Sequence, residues 1–168
     1  KRDWSSDVCS SDLITGNVIA AAVQITVDDL DKTVSLYRNG LGLDISAPTE
    51  WKRDEAYMKA VGIESAKDHP SYRVATVSLD GKPNGLSYVE FKGIERQKQT
   101  FRPLDAGSTS MDYGVTDLLA AITAIKAAGG ETLGASPVMN PNGGGQAVVR
   151  MPHSTLMTIS QRAPAAAR

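Results

Sequence analysis

A single cysteine, Cys9, is present, so the chain can form no internal disulfide and has no thiolate cluster to hold a metal. Histidine is nearly as scarce. His69 and His153 are the only two, which argues against any chemistry built on an imidazole-rich metal centre. No apolar run reaches the roughly 18 to 20 residues needed to span a bilayer, and the first residues hold no apolar signal core. Neither sign of charge dominates: 18 basic and 19 acidic side chains leave a formal charge of -1, with no Lys/Arg-rich stripe to track phosphates. The expectation is a soluble protein with neither membrane nor nucleic acid as partner, its compartment open between cytoplasmic and exported. What is present is an ordinary globular balance, 41% hydrophobic and 22% charged over 168 residues. A chain of that size buries roughly 70% of the surface its unfolded form exposes, enough for one core without a structural metal.

Residues 3–13 lack helical or strand periodicity and resemble the conceptual translation of a sequencing adaptor of the kind that enters metagenomic assemblies. Residues 1–17 are therefore set apart as an adaptor-like or disordered segment, and 163–168 as a disordered tail. Cys9 falls in the first, so the domain proper is expected to have no thiol chemistry.

From there the pattern is regular. Residues 23–27 alternate as a strand and run into Asp28-Asp29-Leu30, where either aspartate can cap a helix whose stripe is Leu30, Val34 and Tyr37. Gly40 and Gly42 end that helix, and residues 41–45 read as a second strand. Residues 111–115 then lead into Thr116-Asp117-Leu118, with Ile122 and Ile125 extending the stripe to Gly129-Gly130. Val27 and Val115, Asp29 and Asp117, Leu30 and Leu118, Val34 and Ile122, Tyr37 and Ile125 are each offset by 88 positions. Such a constant offset signals duplication.

Each half continues compatibly. Strands are expected at 72–79 and 86–91 around a Gly81, Pro83, Asn84, Gly85 turn, and at 146–151 and 156–161 around Pro152-His153-Ser154. An inserted helix is expected at 53–61, and Pro141-Asn142-Gly143-Gly144-Gly145 reads as a flexible rim or lid. The fold class is α+β: two tandem βαβββ modules, 18–92 and 108–162, joined by a linker at 93–107 and forming one domain over 18–162 with a curled, cup-like mixed sheet.

The run VDDLDKTVSLYRNGLGL at 27–43 resembles the opening of the vicinal-oxygen-chelate superfamily, which includes glyoxalases and bleomycin-resistance proteins. The stretch 110–161 is similar to its second module, and EFKGIER at 90–96 resembles a bacterial branch known only as glyoxalase-like. The resemblance implies a cup between modules in which four strand residues hold a divalent metal that chelates substrate oxygens. Carried over one at a time, those ligand positions fall on Ala22, Ser87, Ser110 and Thr158. Alanine has no donor, and neutral hydroxyls are poor sole ligands for a transition metal. Gln24 and Asp112 each lie two residues further along the same strand face and form a displaced pair.

The candidate ligand-binding residues are therefore Gln24, Ser87, Ser110, Asp112 and Thr158, with Asp112 as the candidate catalytic base. The alternative role for Gln24 and Asp112 is plain hydrogen bonding in a wet cavity. Glu90 should face away from Ser87, toward solvent. His69 and His153 read as surface turn residues, Tyr57, Met58 and Trp51 as packing of the inserted helix rather than closure over the cup, and Arg102 and Lys92 as solvated. Gly143-Gly144-Gly145 is no phosphate loop, since no Lys-Ser/Thr follows.

Three functional readings stay open. The first is a binding protein for a small organic molecule, without a cofactor or a conventional metal site. The second is a lyase, isomerase or oxygenase of the superfamily, using a divalent metal at the displaced pair or Asp112 as a metal-independent base. The third is an interaction module in which a homodimer completes the cup.

Overall fold

The computed structural model of the protein describes residues 22–63, 70–79, 81–95, 100–105, 108 and 110–163. The N-terminal segment 1–17, Cys9, His69 and the tail from 164 lie outside the described residues.

The alternation at 23–27 becomes a strand, β1 (Val23–Thr26), whose Ile25 is buried between exposed neighbours. Asp29, not Asp28, caps the helix that follows: its Oδ1 accepts from the Lys32 amide at 3.0 Å. That helix, α1 (Leu30–Ser35), buries Leu30, Thr33 and Val34, and widens into a π-helical stretch (Leu36–Gly40) that buries Leu36 and Tyr37. It stops before Gly42, whose φ of 69° is left-handed backbone that glycine enters without a Cβ clash.

Two elements further on, after α2 (Glu55–Ala60) and the hairpin β2 (Ser71–Leu79) and β3 (Lys82–Lys92), the same sentence is written again. Strand β4 (Ser110–Val115) leads to Asp117, which caps α3 (Leu118–Ala127) by accepting from the Ala120 amide at 2.9 Å. Four strands complete this half: β5 (Glu131–Thr132), β6 (Val138–Met139), β7 (Gly145–Arg150) and β8 (Leu156–Gln161).

The two sheets repeat one topology. In the first, order β1-β3-β2, β1 runs parallel to β3 and β2 antiparallel to it; in the second, order β4-β8-β7-β5, β4 runs parallel to β8, and β6 also pairs with β7. A further match lies at the helix starts. The Leu30 amide donates to Glu90 Oε2 at 3.0 Å, and the equivalent Leu118 amide donates to Gln161 Oε1 at 2.7 Å, so in each half the last strand satisfies an orphan amide of its own helix. The duplication is thus repeated in pairing and capping, with 88 positions between Asp29 and Asp117 and 71 between Glu90 and Gln161.

Alanine at Asp29 or at Asp117 is expected to cost ~1 kcal/mol each in urea denaturation, and the pair to cost nearly the sum because the caps lie on separate helices. The Lys32 amide holds the Asp29 carboxyl below its ordinary value. Its contribution is therefore complete above the unfolded carboxylate range and is lost as pH falls through the lowered value.

Two local expectations are corrected. No strand forms over 41–45; Ile45 makes a single bridge to Val77, and residues 44–52 follow the edge of β2 irregularly. The amides of Ser46, Thr49 and Lys52 donate to the carbonyls of Thr76, Val74 and Tyr72, while Ser46 Oγ and Thr49 Oγ1 replace backbone acceptors for the Thr76 and Val74 amides. Pro48, in the middle of this run, has no amide to give a regular ladder. The hairpin turn is also tighter than the 81–85 expected. Lys82 already belongs to β3, and two surplus residues of β3 are absorbed by a register shift between Thr76 and Ser78.

One face of each sheet packs under the helices. Ile25, Ala75, Val77, Leu86 and Tyr88 from the first sheet and Ala147, Val149, Met157 and Ile159 from the second join Leu30, Val34, Tyr37, Leu118, Ile122 and Ile125 in one core. The helical segments meet at Gly40, where an added Cβ would lie 3.1 Å from that of Ala124. Among the described residues no helix is long and apolar enough to cross a membrane.

Candidate functional site

Strand alternation leaves the opposite face of each sheet away from the shared core, and this is where the candidate residues stand. Gln24 and Ser87 are paired between β1 and β3. Asp112 and Thr158 are paired between β4 and β8, and Ser110 Oγ lies 3.4 Å from Thr158 Oγ1. Ala22, Gln24, Ser110 and Asp112 are exposed, and Ser87 and Thr158 half-buried. Each sheet thus gathers its own polar group. No hydrogen bond among the described residues joins the Gln24 and Ser87 pair to Ser110, Asp112 or Thr158.

Each of these faces carries an added segment. Over the first lies α2, set by Asp54, which caps it through the Tyr57 amide at 3.0 Å. Met58 is buried there with Val89 and Phe91, and Tyr57, Tyr72 and Val74 pack around them. The Tyr57 hydroxyl reaches across to donate to Gln24 Oε1 at 2.7 Å. Burial raises that hydroxyl above the ordinary phenol value and keeps it a donor. Tyr57 is therefore more than packing: it closes over the first polar group. Trp51 does not take part, since it lies outside, 39% exposed, with the Arg73 guanidinium 4.9 Å and the Lys92 ammonium 5.7 Å from its ring centre.

Over the second face lies the linker. The Phe101 carbonyl accepts from Arg150 Nη1 at 2.7 Å, and Arg150 Nε donates to Glu131 Oε1 at 2.9 Å. Arg102, Pro103 and Leu104 from the linker, with Leu133, Gly134 and Val148, enclose an open groove of about 430 Å³. Val148 is the strand partner of Thr158, so the groove adjoins the polar group of the second module. The sequence pointed to none of these lining residues. Its one signal was Leu104, an apolar side chain in a charged linker that is 96% exposed.

Three other expectations change. Glu90 does face away from Ser87, but it is not solvated: its Oε2 takes Arg73 Nε at 2.9 Å, Arg73 Nη2 at 2.7 Å and the Leu30 amide. His153 sits in the β7–β8 turn as expected, yet its ring packs 6.1 Å from that of Tyr37 and 5.9 Å from that of Tyr88. It belongs to a cluster with Tyr37, Tyr88 and Tyr113 that draws on both modules. Arg102 is exposed but ion-paired to Asp105 at 2.7 Å.

No family model and no curated protein matches the chain. Solved structures do. A glyoxalase family protein from Bacillus cereus superposes with a TM-score of 0.65 at 17% identity, over 84% of this chain and 92% of its own. The chain has the glyoxalase fold. The fosfomycin resistance protein FosX from Listeria monocytogenes shares that fold with a TM-score of 0.51 and 13% identity, over 88% of this chain and 93% of its own. A variant of glyoxalase I from Zea mays gives a TM-score of 0.54 and 17% identity over 84% of this chain, which spans 46% of the maize chain. Identities this low carry the glyoxalase fold and no chemistry, which resides in the side chains placed on it.

Proposed function

We propose that the protein binds a small organic molecule, apolar or aromatic in part, in the cup bordered by Gln24, Ser87, Ser110, Asp112 and Thr158, without a conventional metal site. The observation that carries this reading is the character of the polar groups. Ser110 and Thr158 are neutral hydroxyls within 3.4 Å of each other, Gln24 already accepts from Tyr57, and an apolar groove opens beside them. Such a lining orients a ligand by a few hydrogen bonds and holds it by apolar contact.

The residues present do not fit the divalent metal that the fold's name suggests. Such an ion asks for imidazole, carboxylate or thiolate donors in a converging set. Ala22, Ser87, Ser110 and Thr158 supply none, and among the described residues no three of His, Cys, Asp or Glu come together.

Screening the full chain by thermal denaturation against a metabolite and drug library tests the reading. A ligand at a hundred times its Kd adds ~2.7 kcal/mol, a rise of about 5–10 °C in Tm, and excess EDTA should leave that rise unchanged. A library without any stabilising compound, or a rise abolished by EDTA, would overturn it.

A further inference from the structure

On the open face of the second sheet, Asp112 on β4 pairs with Thr158 on β8, which pairs with Val148 on β7. Adjacent strands are spaced about 4.8 Å apart, so Asp112 and Val148 stand about 10 Å apart on one side of the sheet. Val148 lines the apolar groove, opposite Leu133 and the linker residues Pro103 and Leu104. A groove of about 430 Å³ is the size of a small-molecule site.

Among the described residues, the two arginines beside it are paired, and Asp112 is not. The Arg102 guanidinium donates to Asp105 Oδ1 at 2.7 and 2.9 Å, and the Arg102 amide donates to Oδ2 at 2.8 Å. Arg150 is held by Glu131 and by the Phe101 carbonyl. Asp112 has no hydrogen-bond or ion-pair partner among the described residues. Beside it, the Ser110 and Thr158 hydroxyls, 3.4 Å apart, offer further acceptor lone pairs.

We infer that the ligand is an amphiphilic cation, with an apolar or aromatic body against Val148, Leu133 and Leu104 and a protonated amine reaching past Thr158 to Asp112. An ammonium carries three donors and no acceptor, which matches a carboxylate flanked by two hydroxyls. A carboxylate or phosphate at the same place would meet Asp112 as a like charge. This assignment rests on the binding reading above and adds to it the chemical class of the ligand.

Calorimetric titration with phenylpropylamine, with the neutral phenylpropanol and with the anionic phenylpropionate tests it. The amine is expected to bind about tenfold more tightly than the alcohol, the anion more weakly than either, and Asp112→Asn should remove the preference for the amine while sparing the alcohol. Val148→Trp, which fills the groove, should abolish binding of both. Equal binding of amine and alcohol, or an amine preference that survives Asp112→Asn, overturns the assignment. So does silence from all three probes; if library compounds still stabilise the protein, the cation assignment alone has failed. Amine binding that survives Val148→Trp places the ligand elsewhere, and the cup reading falls with it.

Discussion

Alanine in place of Tyr88 is expected to destabilise the protein by ~3–5 kcal/mol, the range for removing a buried aromatic ring and leaving its cavity. The residue is fully buried in the shared core. Its ring lies 4.8 Å from that of Tyr37, tilted by 33°, and meets His153 edge-on at 5.9 Å, and its hydroxyl lies 3.4 Å from that of Tyr113. Two of those partners, Tyr113 and His153, belong to the second module, so the loss is felt across both halves. Tyr88→Phe keeps the ring and should cost only ~1 kcal/mol, the net worth of an ordinary hydrogen bond. Burial also pushes the Tyr37 and Tyr88 hydroxyls well above the ordinary phenol value. A folded-state value above the unfolded one gives stability that is complete below pH ~10 and drains away as pH rises beyond it. Urea midpoints should therefore fall in alkali for the parent protein and fall less for Tyr88→Phe. A Tyr88→Ala variant within about 1 kcal/mol of the parent would show that the ring is not buried as described.

Removal of the Glu90 carboxylate is the second large effect. Both ion-pair partners are mostly shielded, Arg73 with 16% and Glu90 with 15% of the side chain exposed. Glu90→Ala leaves the guanidinium with Asp31, at 2.7 Å and itself 67% exposed, and with the Trp51 ring, and it frees the Leu30 amide. Breaking a buried pair from one side costs about 3–5 kcal/mol, and the remaining Asp31 contact together with partial exposure brings the expected loss to ~2–4 kcal/mol. Glu90→Gln retains an oxygen for Leu30 and should recover part of it. In a double-mutant cycle with Arg73→Met, the coupling should exceed ~1 kcal/mol and persist in high salt; a coupling screened away by salt would mark the pair as a surface contact.

The legible parts of this protein were those written by local rules. Asp29 and Asp117 announce helix starts because only an oxygen acceptor can satisfy the first amides, and Val34 and Ile122 mark the buried stripe because a helix repeats every three to four residues. The strand faces of Gln24, Ser87, Ser110, Asp112 and Thr158 followed from alternation alone. What could not be read depends on partners distant in sequence. Glu90 resembles any exposed glutamate until β3 is laid beside the start of α1, 60 residues earlier. His153 resembles a turn histidine until Tyr37 and Tyr88 arrive from the other module. Residues 41–45 read as a strand, but only Ile45 of them bridges β2, and beyond it Pro48 and the competing hydroxyls of Ser46 and Thr49 break the ladder. The groove was invisible because a linker and a strand edge create it together, and neither carries a pattern of its own.

The contact between Gly40 and Ala124 has a consequence for how such a scaffold changes over time. Among the described residues the two sheets share no ladder, so the spacing of the modules depends on side-chain packing, and at this seam a glycine meets a methyl group. Backbone ladders tolerate no gradual adjustment, whereas a packed seam shifts by the width of a methyl group at a time. Spacing and ladder are therefore separable traits: the distance between the modules can change by substitution at the seam while every strand keeps its register.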